Sequence, residues 1–590
     1  QFNSHRFFMT LGQAYQMTGD EKYARAFMEI AEDWIDHVPL NEKYAAGPWR
    51  SLDTGFRGEY WSKAIWLFHD SPTLTEAFLQ KYYDSMILQA EHIMECHSAY
   101  RYMSNWGVIE NHGLFEIGVC LPQSEKTKQF IAFAVKNLEV QVRMQIMPDG
   151  VHWEQSPMYH NEVLHCLLDV ILLAKRNDIA LPDVILRQTE KMAMADVAWL
   201  KPDHHIVMMG DSDDVDVRDR ISVAAYLFLN PVLRFGGFDR LDYESIWDLG
   251  MKAGEEYAGM ERRKPDFTSL FLEHSGNTYF RSDWSERANF LHLHSGTMGA
   301  GHGHSDKLHI DLVVNGEDVL MDGGRYTYVS GSKRFSYKDP SGHNTITVDD
   351  LPFTVCKDSW ECSKLSQPVK ENFRCTKLAE FAQAGQLGYM DLPGGVYVNR
   401  KVVYIKPDLY VLADEMYTGD RHTYQQYFHF NNHGTVTQNA PGEKKFPCVA
   451  YRGKMAEADF YFVSAQVKAE LKSGHIARHY NVEEENTVCK VTKQGEGFTS
   501  LITVIDAQPG RPLSIEKLPV RSALKQTDYP ETMAEALKIT AGEKEYVVIL
   551  CHQEVNSPTD LVEVDGCMGY GNVIVFDKAG DVLVGDVLNW

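Results

Sequence analysis

Three features are missing from this sequence, and each absence excludes a class of protein. None of the ten cysteines forms a Cys-x-x-Cys pair, so a structural zinc knuckle is not expected. No apolar run reaches about 18 residues, so no membrane-spanning helix is predicted. The net charge of −24 lacks the basic excess that nucleic-acid binding requires, although a local cluster of Arg and Lys could still bind a polyanion.

The composition is otherwise that of an ordinary globular protein, with 44% hydrophobic and 24% charged residues. At 590 residues the chain is too long for one hydrophobic core, so at least two domains are expected. It begins at Gln1 and enters a helical pattern almost at once. We therefore expect a fragment or a processed product, in which any targeting signal would be missing from the given sequence. The compartment (periplasmic, secreted or cytoplasmic) and the oligomeric state stay open.

Up to about residue 250, apolar residues recur with a period near 3.6, which indicates amphipathic helices. The predicted helices span 21–38, 74–96, 126–147, 161–176 and 183–200. Short connections rich in Pro, Gly and Asp separate them, which favours antiparallel helix pairs. The pairs could stack as a bundle or close into a toroid, and periodicity alone does not choose between the two.

After about residue 265 the apolar residues begin to alternate with polar ones over short segments. The predicted strands span 278–281, 289–294, 308–314, 345–348, 396–405, 409–413, 424–430, 459–463, 500–505 and 546–551. Short strands separated by turn signals predict an antiparallel sandwich. The chain is therefore predicted to be a multidomain α+β protein, with a helical domain over 1–250, a linker over 251–265 and a β-sandwich over 266–590.

Two histidines and an aspartate lie close together between glycines in the segment 301–306. The dipeptide Asn315-Gly316 then separates two apolar segments and predicts a tight hairpin, which brings Asp322 back toward the histidines. A third histidine, His343, follows. Imidazoles and a carboxylate gathered in this way could bind a metal ion, transfer protons, or do both.

Three interpretations of this segment stay open on the residues alone. The His-x-His-x-Asp spacing resembles the dinuclear zinc hydrolases of the metallo-β-lactamase type, but Lys307 replaces a ligand of that family, and helices and strands are segregated here. Alternatively, His304, Asp322 and His343 bind one metal ion while His302 faces a substrate. In the third interpretation the histidines only hydrogen-bond to the backbone of their loops.

The helical half contains further polar segments whose roles are ambiguous when each is taken alone. Asn111, in Asn111-His112-Gly113-Leu114-Phe115-Glu116, is more typical of a helix N-cap than of a catalytic group. Tyr159 and His160 follow a polar, aromatic loop, at the first turn of a predicted helix, and a pair in that position usually packs and caps. The acidic loop 210–214 could line a cleft or bind a cation, but a solvated turn is the favoured interpretation.

Taken together, these segments resemble one family, the heparinase II/III-like polysaccharide lyases, and within it the heparinase III or heparan-sulfate lyase type. The matching segments are Asn111-His112 with Phe115-Glu116, 156–160, 210–213, 302–306, 322–324 with Tyr326 and Tyr328, and 342–345. They occur in the family's order and cover most of the chain. The resemblance implies an incomplete α/α toroid followed by an antiparallel β-sandwich domain.

The resemblance also implies a reaction, the β-elimination of uronate-containing polysaccharides. Asn111 would then hydrogen-bond the uronate carboxylate and stabilise the developing charge. Tyr159 would act as general base and acid, with His302 as its partner on the other side of the sugar. Because an ordinary tyrosine has a pKa near 10, nearby positive charge or the substrate itself must activate Tyr159.

By the same resemblance, His304, Asp322 and His343 match positions that hold a structural divalent metal, zinc in some members. No organic cofactor is expected, and the expected partner is an acidic polysaccharide. Heparan sulfate or heparin is the leading substrate, while chondroitin, hyaluronan and alginate also carry a uronate that loses O4. A zinc-dependent hydrolase and a non-catalytic carbohydrate-binding protein are the rival functions.

Five residues of the helical half are predicted to contact the substrate: His112, Glu116, His160, Arg50 and Arg57. The two arginines could pair with sulfates or carboxylates of a polyanion. A salt bridge between helices is an equally good interpretation of both arginines.

Overall fold

In the computed structural model, residues 2–440, 442–578 and 583–589 are described, and the chain divides into two compact units. The helical unit comprises Gln1–Trp153, Tyr159–Ala195 and Arg218–Arg262. The strand unit comprises Glu154–Met158, Asp196–Val217 and Arg263–Trp590. Each unit is built around different secondary structure, as the change of sequence pattern predicts.

The described residues form fourteen α-helices, thirteen of which begin before residue 252. In chain order they are α1 Phe7–Thr18, α2 Glu21–His37, α3 Glu42–Ala45, α4 Ser51–Leu67, α5 Glu76–Cys96, α6 Asn105–Cys120, α7 Glu125–Gln145, α8 Pro157–Arg176, α9 Asp183–Trp199, α10 Arg218–Phe228, α11 Pro231–Gly236, α12 Tyr243–Leu249, α13 Met251–Ala258 and α14 Ser332–Lys338.

Capping residues fix the ends of the helices that periodicity predicts. The Asp20 side chain accepts a hydrogen bond from the Lys22 N–H at the start of α2, and Ser124 and Thr127 form a reciprocal capping box at the start of α7. Gly19, at φ 67°, ends α1 in the left-handed conformation that glycine adopts without strain. The five predicted helices are confirmed as α2, α5, α7, α8 and α9.

Helices α4 and α6 approach each other closely through glycines. A Cβ atom added to Gly113 would lie 2.1 Å from the carbonyl oxygen of Gly55, and one added to Gly58 would lie 2.6 Å from that of Gly113. The two backbones are therefore in direct contact, and α6 is buried on nearly every face. This packing fixes the positions of the polar side chains that α6 carries.

The described residues also form 25 β-strands, all after residue 269. In chain order they are β1 Leu270–Leu272, β2 Asn277–Arg281, β3 Phe290–His294, β4 His309–Val314, β5 Glu317–Leu320, β6 Ile346–Val348, β7 Val355–Cys356, β8 Cys362–Lys364, β9 Pro368–Cys375, β10 Ala379–Tyr389, β11 Val396–Ile405, β12 Leu409–Phe430, β13 Thr435–Gln438, β14 Cys448–Arg452, β15 Glu457–Phe462, β16 Lys468–His479, β17 Val482–Asp506, β18 Leu513–Leu518, β19 Arg521–Ser522, β20 Ala534–Ala541, β21 Lys544–Cys551, β22 Val562–Val564, β23 Cys567–Gly569, β24 Val573–Asp577 and β25 Val584–Asn589.

The strands pair antiparallel and pack as layers. The main sheet has the order β1-β2-β3-β4-β5-β12-β17-β15-β14-β13, with β6, β9, β10, β11 and β16 attached beside it, and a five-stranded sheet has the order β18-β20-β21-β24-β25. One buried cluster joins Val411 and Val504 of the main sheet to Leu537 and Val548 of the second sheet. Two sheets that share a core in this way form a sandwich, which confirms the prediction.

The predicted hairpin is β4–β5. Asn315 and Gly316 have φ values of 50° and 83°, so both central residues have the positive φ of a type I′ turn. Val314 pairs with Glu317 across the turn, and Asp322 follows the end of β5. Its backbone N–H donates to the Asp311 carboxylate on β4, 3.1 Å away, so Asp322 does return beside the outgoing strand.

The unit boundaries follow the contacts rather than the sequence pattern alone. The segment 251–265, predicted as a linker, contains helix α13, which belongs to the helical unit. Two segments from the helical half of the sequence, Glu154–Met158 and Asp196–Val217, belong to the strand unit. Among the described residues, no helix combines the length and apolarity needed to cross a bilayer.

Candidate functional site

Asp211 lies at the centre of the histidine cluster in the strand unit. Its carboxylate accepts hydrogen bonds from Nδ1 of His302 at 3.0 Å and from Nε2 of His304 at 2.9 Å. The guanidinium of Arg334 donates to both oxygens, at 2.6 and 2.8 Å. The two histidines of the segment 301–306 are therefore joined by one carboxylate that precedes them by about 90 residues.

The charge of Asp211 is fixed by these partners. Burial alone would raise the pKa of this carboxyl, but the hydrogen bonds from His302 and His304 and the charge of Arg334 outweigh it and hold the pKa well below its usual range. Asp211 and Arg334 are both fully buried. The ion pair is therefore permanent at neutral pH, and it holds both imidazoles in fixed orientations.

The surrounding acidic loop is a buried ion-pair segment rather than a solvated turn. Asp213 pairs with Arg325, with N–O distances of 2.7 and 2.9 Å, and Asp214 lies 3.3 Å from the ammonium of Lys201. The favoured interpretation of the segment 210–214 as a solvated turn is thus wrong. The acidic residues are visible in the sequence, but their pairing with basic partners is not, since Arg325 and Arg334 come from distant elements.

His302 and His304 point to different surroundings. His302 is partly exposed, and its ring lies near the aromatic rings of Tyr328 and Trp360, with centroid distances of 6.0 and 5.3 Å. His304 is buried, with its ring 5.4 Å from that of His343. The histidine nearer to solvent is the one suited to contact a substrate, and the buried one faces the third histidine of the cluster.

His304, Asp322 and His343 form a group that could hold a metal ion, with one donor atom from each residue within 4.8 Å of the others. Nδ1 of His343 donates to Asp322 at 2.8 Å. Burial lowers the pKa of His304 to about 4 even beside Asp211, so its ring is neutral at pH 7. Because Nε2 carries the proton that Asp211 accepts, Nδ1 of His304 holds a lone pair, as a metal ligand must.

Two buried nitrogens of this group support the fit to a metal ion. Nδ1 of His304 and Nε2 of His343 have no hydrogen-bond partner among the described residues. Such orphaned atoms are rare in a folded protein and call for an explanation. Two imidazoles and a carboxylate are a donor set typical of divalent transition metals, and Asp211 behind His304 is the kind of carboxylate that orients a ligating imidazole.

In the helical unit, Asn111 lies in the middle of α6 and not at its start. Ser104 is the N-cap of that helix, where its side chain accepts a hydrogen bond from the Trp106 N–H, so the N-cap interpretation of Asn111 is wrong. The side-chain amide of Asn111 donates to the Gly107 carbonyl at 2.7 Å and lies 3.5 Å from Gln141. Asn111 is almost fully buried.

His112 and Glu116 belong to a buried charged cluster of the helical unit. Nε2 of His112 lies 3.3 Å from Glu116 and 3.4 Å from Asp169, and the Lys63 ammonium lies 2.5 Å from Asp169. Burial lowers the pKa of His112, but Cys166 and hydrogen bonding to Asp169 outweigh it and raise this pKa well above its usual value. Lys63, Glu116 and Asp169 line a cavity of about 320 Å³, so Glu116 borders a space that a small group can enter.

Tyr159 and His160 occupy the first turn of α8, where the sequence places them. Tyr159 is half-buried, whereas His160 is fully buried. Nδ1 of His160 accepts from the His152 N–H at 3.2 Å, and its Nε2 lies 3.1 Å from the Met192 carbonyl. Burial lowers the pKa of His160 to about 3, so the ring is neutral. These bonds are typical of a structural histidine, and the substrate contact of His160 stays a prediction.

The two arginines of the α4 region differ in placement. Arg57 is fully buried, and its guanidinium donates to Gln89 at 2.9 Å, to the carbonyl of Pro48 at 2.6 Å and to Thr54 at 3.1 Å. All of these hydrogen bonds are made within the protein. They indicate a packing role for Arg57 rather than the predicted contact with substrate. Arg50 is exposed and pairs with Asp53 at 2.8 Å, which leaves it able to meet a polyanion.

Sequence reasoning missed the residues that connect the histidine cluster. Arg334 carries no local signal, because a lone arginine in a polar helix is common on any protein surface. Asp211 lies in the acidic loop 210–214, but its pairing with histidines far along the chain is a tertiary contact. A buried Arg–Asp–His arrangement is visible only once the fold brings the three segments together.

Solved structures of the same fold align with most of the chain. Heparan sulfate lyase HepC from Pedobacter heparinus aligns with a TM-score of 0.70 and 20% identity, covering 94% of this chain and 83% of that one. A crystal structure of heparinase III aligns with a TM-score of 0.76 and 17% identity, covering 93% and 83%. These structures confirm the predicted fold class, an incomplete α/α toroid followed by an antiparallel β-sandwich.

Curated relatives match by sequence over a smaller part. The heparin-sulfate lyase of Pedobacter heparinus is 26% identical over 386 residues, which are 61% of this chain and 54% of the relative. The heparin-sulfate lyase of Bacteroides thetaiotaomicron is 24% identical over 442 residues, which are 70% and 58%. The chain thus spans little more than half the length of the curated relatives it matches.

Two family models account for most of the sequence. The model described as Heparinase II/III N-terminus matches residues 1–231, and the model described as Heparinase II/III-like, C-terminal matches residues 265–511. They match in the order in which the helical and the strand-rich parts follow each other along the chain. The chain therefore belongs to the heparinase II/III family.

Proposed function

We propose that the protein is a polysaccharide lyase that cleaves a uronate-containing glycosaminoglycan by β-elimination, with heparan sulfate or heparin as the leading substrate. The observation that carries the proposal is the His302–Asp211 pair, a partly exposed imidazole held by a buried carboxylate, in a chain of the heparinase II/III family. The names of the relatives support the substrate, since the curated relatives described above are heparin-sulfate lyases.

The reaction needs three actions at one sugar. The uronate carboxylate must be neutralised, the C5 proton removed, and the departing O4 protonated. We assign the first to Asn111, whose amide would exchange its hydrogen bond with the Gly107 carbonyl for one that stabilises the developing negative charge. We assign the proton transfers to Tyr159 and His302, since each is an acid–base group that is not fully buried.

The hydrogen bond to Asp211 suits His302 to this task. In the neutral ring the proton sits on Nδ1, which donates to Asp211, so Nε2 carries the lone pair that a general base uses. Asp211 is therefore a positioning residue for His302 in the proposed reaction.

We further propose that the ion at His304, Asp322 and His343 is Zn²⁺ and that its role is structural. The three donors lie among fully buried residues, whereas a catalytic metal needs an open coordination position that a substrate or water can reach. Bound zinc would supply stiffness to the segment that carries His302. The proton transfers assigned to Tyr159 and His302 do not involve the metal ion.

Incubation with a panel of polymers tests the proposal. Elimination leaves a double bond conjugated with the uronate carboxylate, so ultraviolet absorbance should rise with heparan sulfate or heparin. A larger rise with chondroitin, hyaluronan or alginate would identify another uronate polymer as the substrate. Cleavage without the double bond, abolished by chelation, would identify a zinc-dependent hydrolase, and binding without cleavage a carbohydrate-binding protein.

Replacing Tyr159 by phenylalanine tests the assignment of the base. We expect Tyr159→Phe to lower kcat at least about 100-fold, because it removes the hydroxyl that transfers the proton, while the far-ultraviolet circular dichroism stays unchanged. Tyr100→Phe is the matched control, since Tyr100 is an exposed tyrosine of the same unit. Full activity of Tyr159→Phe would overturn the assignment.

A further inference from the structure

Two cysteines that the proposed reaction does not use face each other across a short hairpin of the strand unit. Strand β7 pairs with β8, and Cys356 and Cys362 are partners in their register. The two Sγ atoms lie 2.9 Å apart. This is closer than non-bonded sulfurs normally pack, and closing the gap to a disulfide requires a movement of only about 0.9 Å. Both thiols are half-buried, so a small oxidant can reach them.

We propose that Cys356 and Cys362 form a reversible disulfide, and that this bond sets the mobility of the loop 357–361 beside His302. Formation of the disulfide depends on the hairpin alone. The effect of the disulfide on turnover rests on the proposed role of His302 in catalysis.

The loop 357–361 contacts the segment that carries His302. The Trp360 ring lies edge-on to the His302 imidazole, at a centroid distance of 5.3 Å, and a Cβ atom added to Gly301 would lie 3.1 Å from the Trp360 ring. The Lys338 ammonium donates to the carbonyl of Gly301 at 2.6 Å and to that of Ser359 at 3.0 Å. A change in the order of this loop therefore acts directly on the surroundings of His302.

The strand pairing of this hairpin is short, although Ser359 of its loop hydrogen-bonds to the Tyr328 carbonyl and to Lys338. Strands β7 and β8 form a separate two-stranded sheet of two and three residues. A two-stranded hairpin of this kind is only marginally stable by itself. Trp360 is 53% exposed, so its own burial contributes little. A disulfide across the base of the loop would remove most of the alternative conformations of the reduced loop.

The two thiols are electrostatically unequal, which suits them to thiol–disulfide exchange. The hydrogen bond with Cys356 lowers the pKa of the Cys362 thiol, and the same bond raises the pKa of Cys356. The Cys362 thiolate attacks a small disulfide such as oxidised glutathione and releases one glutathione thiolate. Cys356 then loses its proton, and its sulfur attacks the Cys362 sulfur and releases the second glutathione. Two protein thiols are thereby oxidised and one glutathione disulfide is reduced.

Tryptic mapping without reduction tests the disulfide. Lys357 lies between the two cysteines, so trypsin separates the peptides 339–357 and 358–364 unless a disulfide joins them. After treatment with oxidised glutathione we expect the joined pair, lighter than the sum of the two peptides by two hydrogen atoms. Cys356→Ser and Cys362→Ser should each abolish it. Cys375→Ser, at an exposed cysteine of the same unit, should leave it intact.

The coupling to His302 has its own measurement. We expect hydrogen exchange of the amides in 357–361 to slow at least about tenfold on oxidation. We expect kcat/KM on heparan sulfate to be about two- to tenfold higher in the oxidised protein, because an ordered Trp360 holds the His302 ring ready for reaction. Trp360→Ala should still form the disulfide but lose the dependence of kcat/KM on oxidation.

The peptide map decides the disulfide, and hydrogen exchange and kcat/KM decide its coupling to His302. Separate peptides after oxidation, or glutathione left on each cysteine, would overturn the disulfide. A disulfide with unchanged hydrogen exchange, or with the same kcat/KM in both states, would overturn the coupling. If neither state cleaves any uronate polymer, the proposed function fails, while the mapping and the exchange data still decide the disulfide and the order of the loop.

Discussion

At the residue scale, Asp211 holds three side chains at once, those of His302, His304 and Arg334. Asp211→Asn would leave the buried Arg334 guanidinium without its counter-charge and His302 and His304 without their carboxylate. Breaking a buried ion pair from one side costs about 3–5 kcal/mol, so we expect that loss in the free energy of unfolding of the strand unit at pH 7. Urea denaturation measures it.

The prediction for Asp211→Asn has a control variant and a pH dependence. Asp528→Asn removes an exposed partner of Arg521 and should change the free energy of unfolding by less than about 1 kcal/mol. Since the folded-state pKa of Asp211 is depressed, its stabilisation is complete above pH ~4 and is lost as the pH falls toward that lower value. Equal stability of Asp211→Asn and wild type at pH 7 would contradict the network described for the cluster.

Glu110 gives a pH dependence of the opposite sign. Burial raises its pKa to about 7, although Ser51 and Arg101 act to lower it. Between pH ~4.5 and ~7 the unfolded chain releases a proton that the folded protein keeps, so this residue makes the protein less stable as the pH rises through that window. At pH 8 this lowers the free energy of unfolding by about 3 kcal/mol.

Replacing this carboxyl by the neutral amide tests the shift. Glu110→Gln should unfold at the same urea concentration as wild type near pH 5 and at a higher one at pH 8. Glu125→Gln, at an exposed position of the same unit, should show no such difference. A difference that stays constant from pH 5 to pH 8 would argue against a raised pKa at Glu110.

The residues of the candidate site were predictable to different degrees. His302, His304, Asp322 and His343 follow from a short motif and a hairpin, which are local features that one sequence displays. The roles of His160 and Arg57 could not be read in this way, because burial depends on which helices surround them. Asp211 was noticed as part of an acidic loop, but its partners are contributed by segments about 90 and 120 residues away.

At the scale of elements, the contact between α4 and α6 is a tight constraint on the helical unit. Gly113→Ala would place a Cβ atom 2.1 Å from the Gly55 carbonyl oxygen, so the helices would have to separate. Overpacking of this kind costs about 3 kcal/mol, more than the roughly 1 kcal/mol that alanine gains over glycine in a helix. We expect a lower thermal midpoint by calorimetry, together with a lower rate of the proposed elimination because α6 carries Asn111.

A second glycine provides the matched control. A Cβ atom at Gly254 in α13 meets nothing within 4 Å. Gly254→Ala should therefore stabilise the protein by about 0.5–1 kcal/mol through helix propensity alone. If Gly113→Ala behaved like Gly254→Ala, the close approach of the two helices would be refuted.

The elements themselves were largely visible in the sequence, because periodicity is a local property. The hairpin at Asn315-Gly316 has the register that its turn residues predict. Helix α6 was not predicted as a whole, since it is buried on nearly every face and its apolar residues therefore have no single stripe. Strand β12 was predicted as two strands, 409–413 and 424–430, because its polar middle, 418–422, interrupts the alternation.

At the scale of the whole molecule, metal binding should raise the thermal midpoint of unfolding. A ligand that binds only the folded state stabilises it by about 2.7 kcal/mol at 100 times its Kd. We expect chelator-treated protein to unfold several degrees higher after addition of Zn²⁺. His343→Ala should remove the effect, and His479→Ala, at an exposed histidine of the strand unit, should keep it. An unchanged midpoint in wild type would exclude zinc as the ion.

The division into a helical and a strand-rich part could be predicted, but the exact membership of the two units could not. Two short segments, Glu154–Met158 and Asp196–Val217, lie in the helical half of the sequence and belong to the strand unit. Ser156 and Ser212, one from each, share a hydrogen bond of 3.0 Å. Side-chain pairs of this kind leave no periodic trace, so composition and pattern do not reveal them.

The long ladder between β12 and β17 also has a consequence for synthesis of the chain on the ribosome. Leu409 pairs with Asp506 and Phe430 with Thr487, so one edge of β12 has no partner until residue 487 has been made and is not fully paired until residue 506. An unpaired apolar edge of that length invites association between nascent chains. The exposed charges of Asp420 and Arg421 divide this edge into two shorter stretches, the arrangement that protects newly made strands from aggregation until β17 arrives.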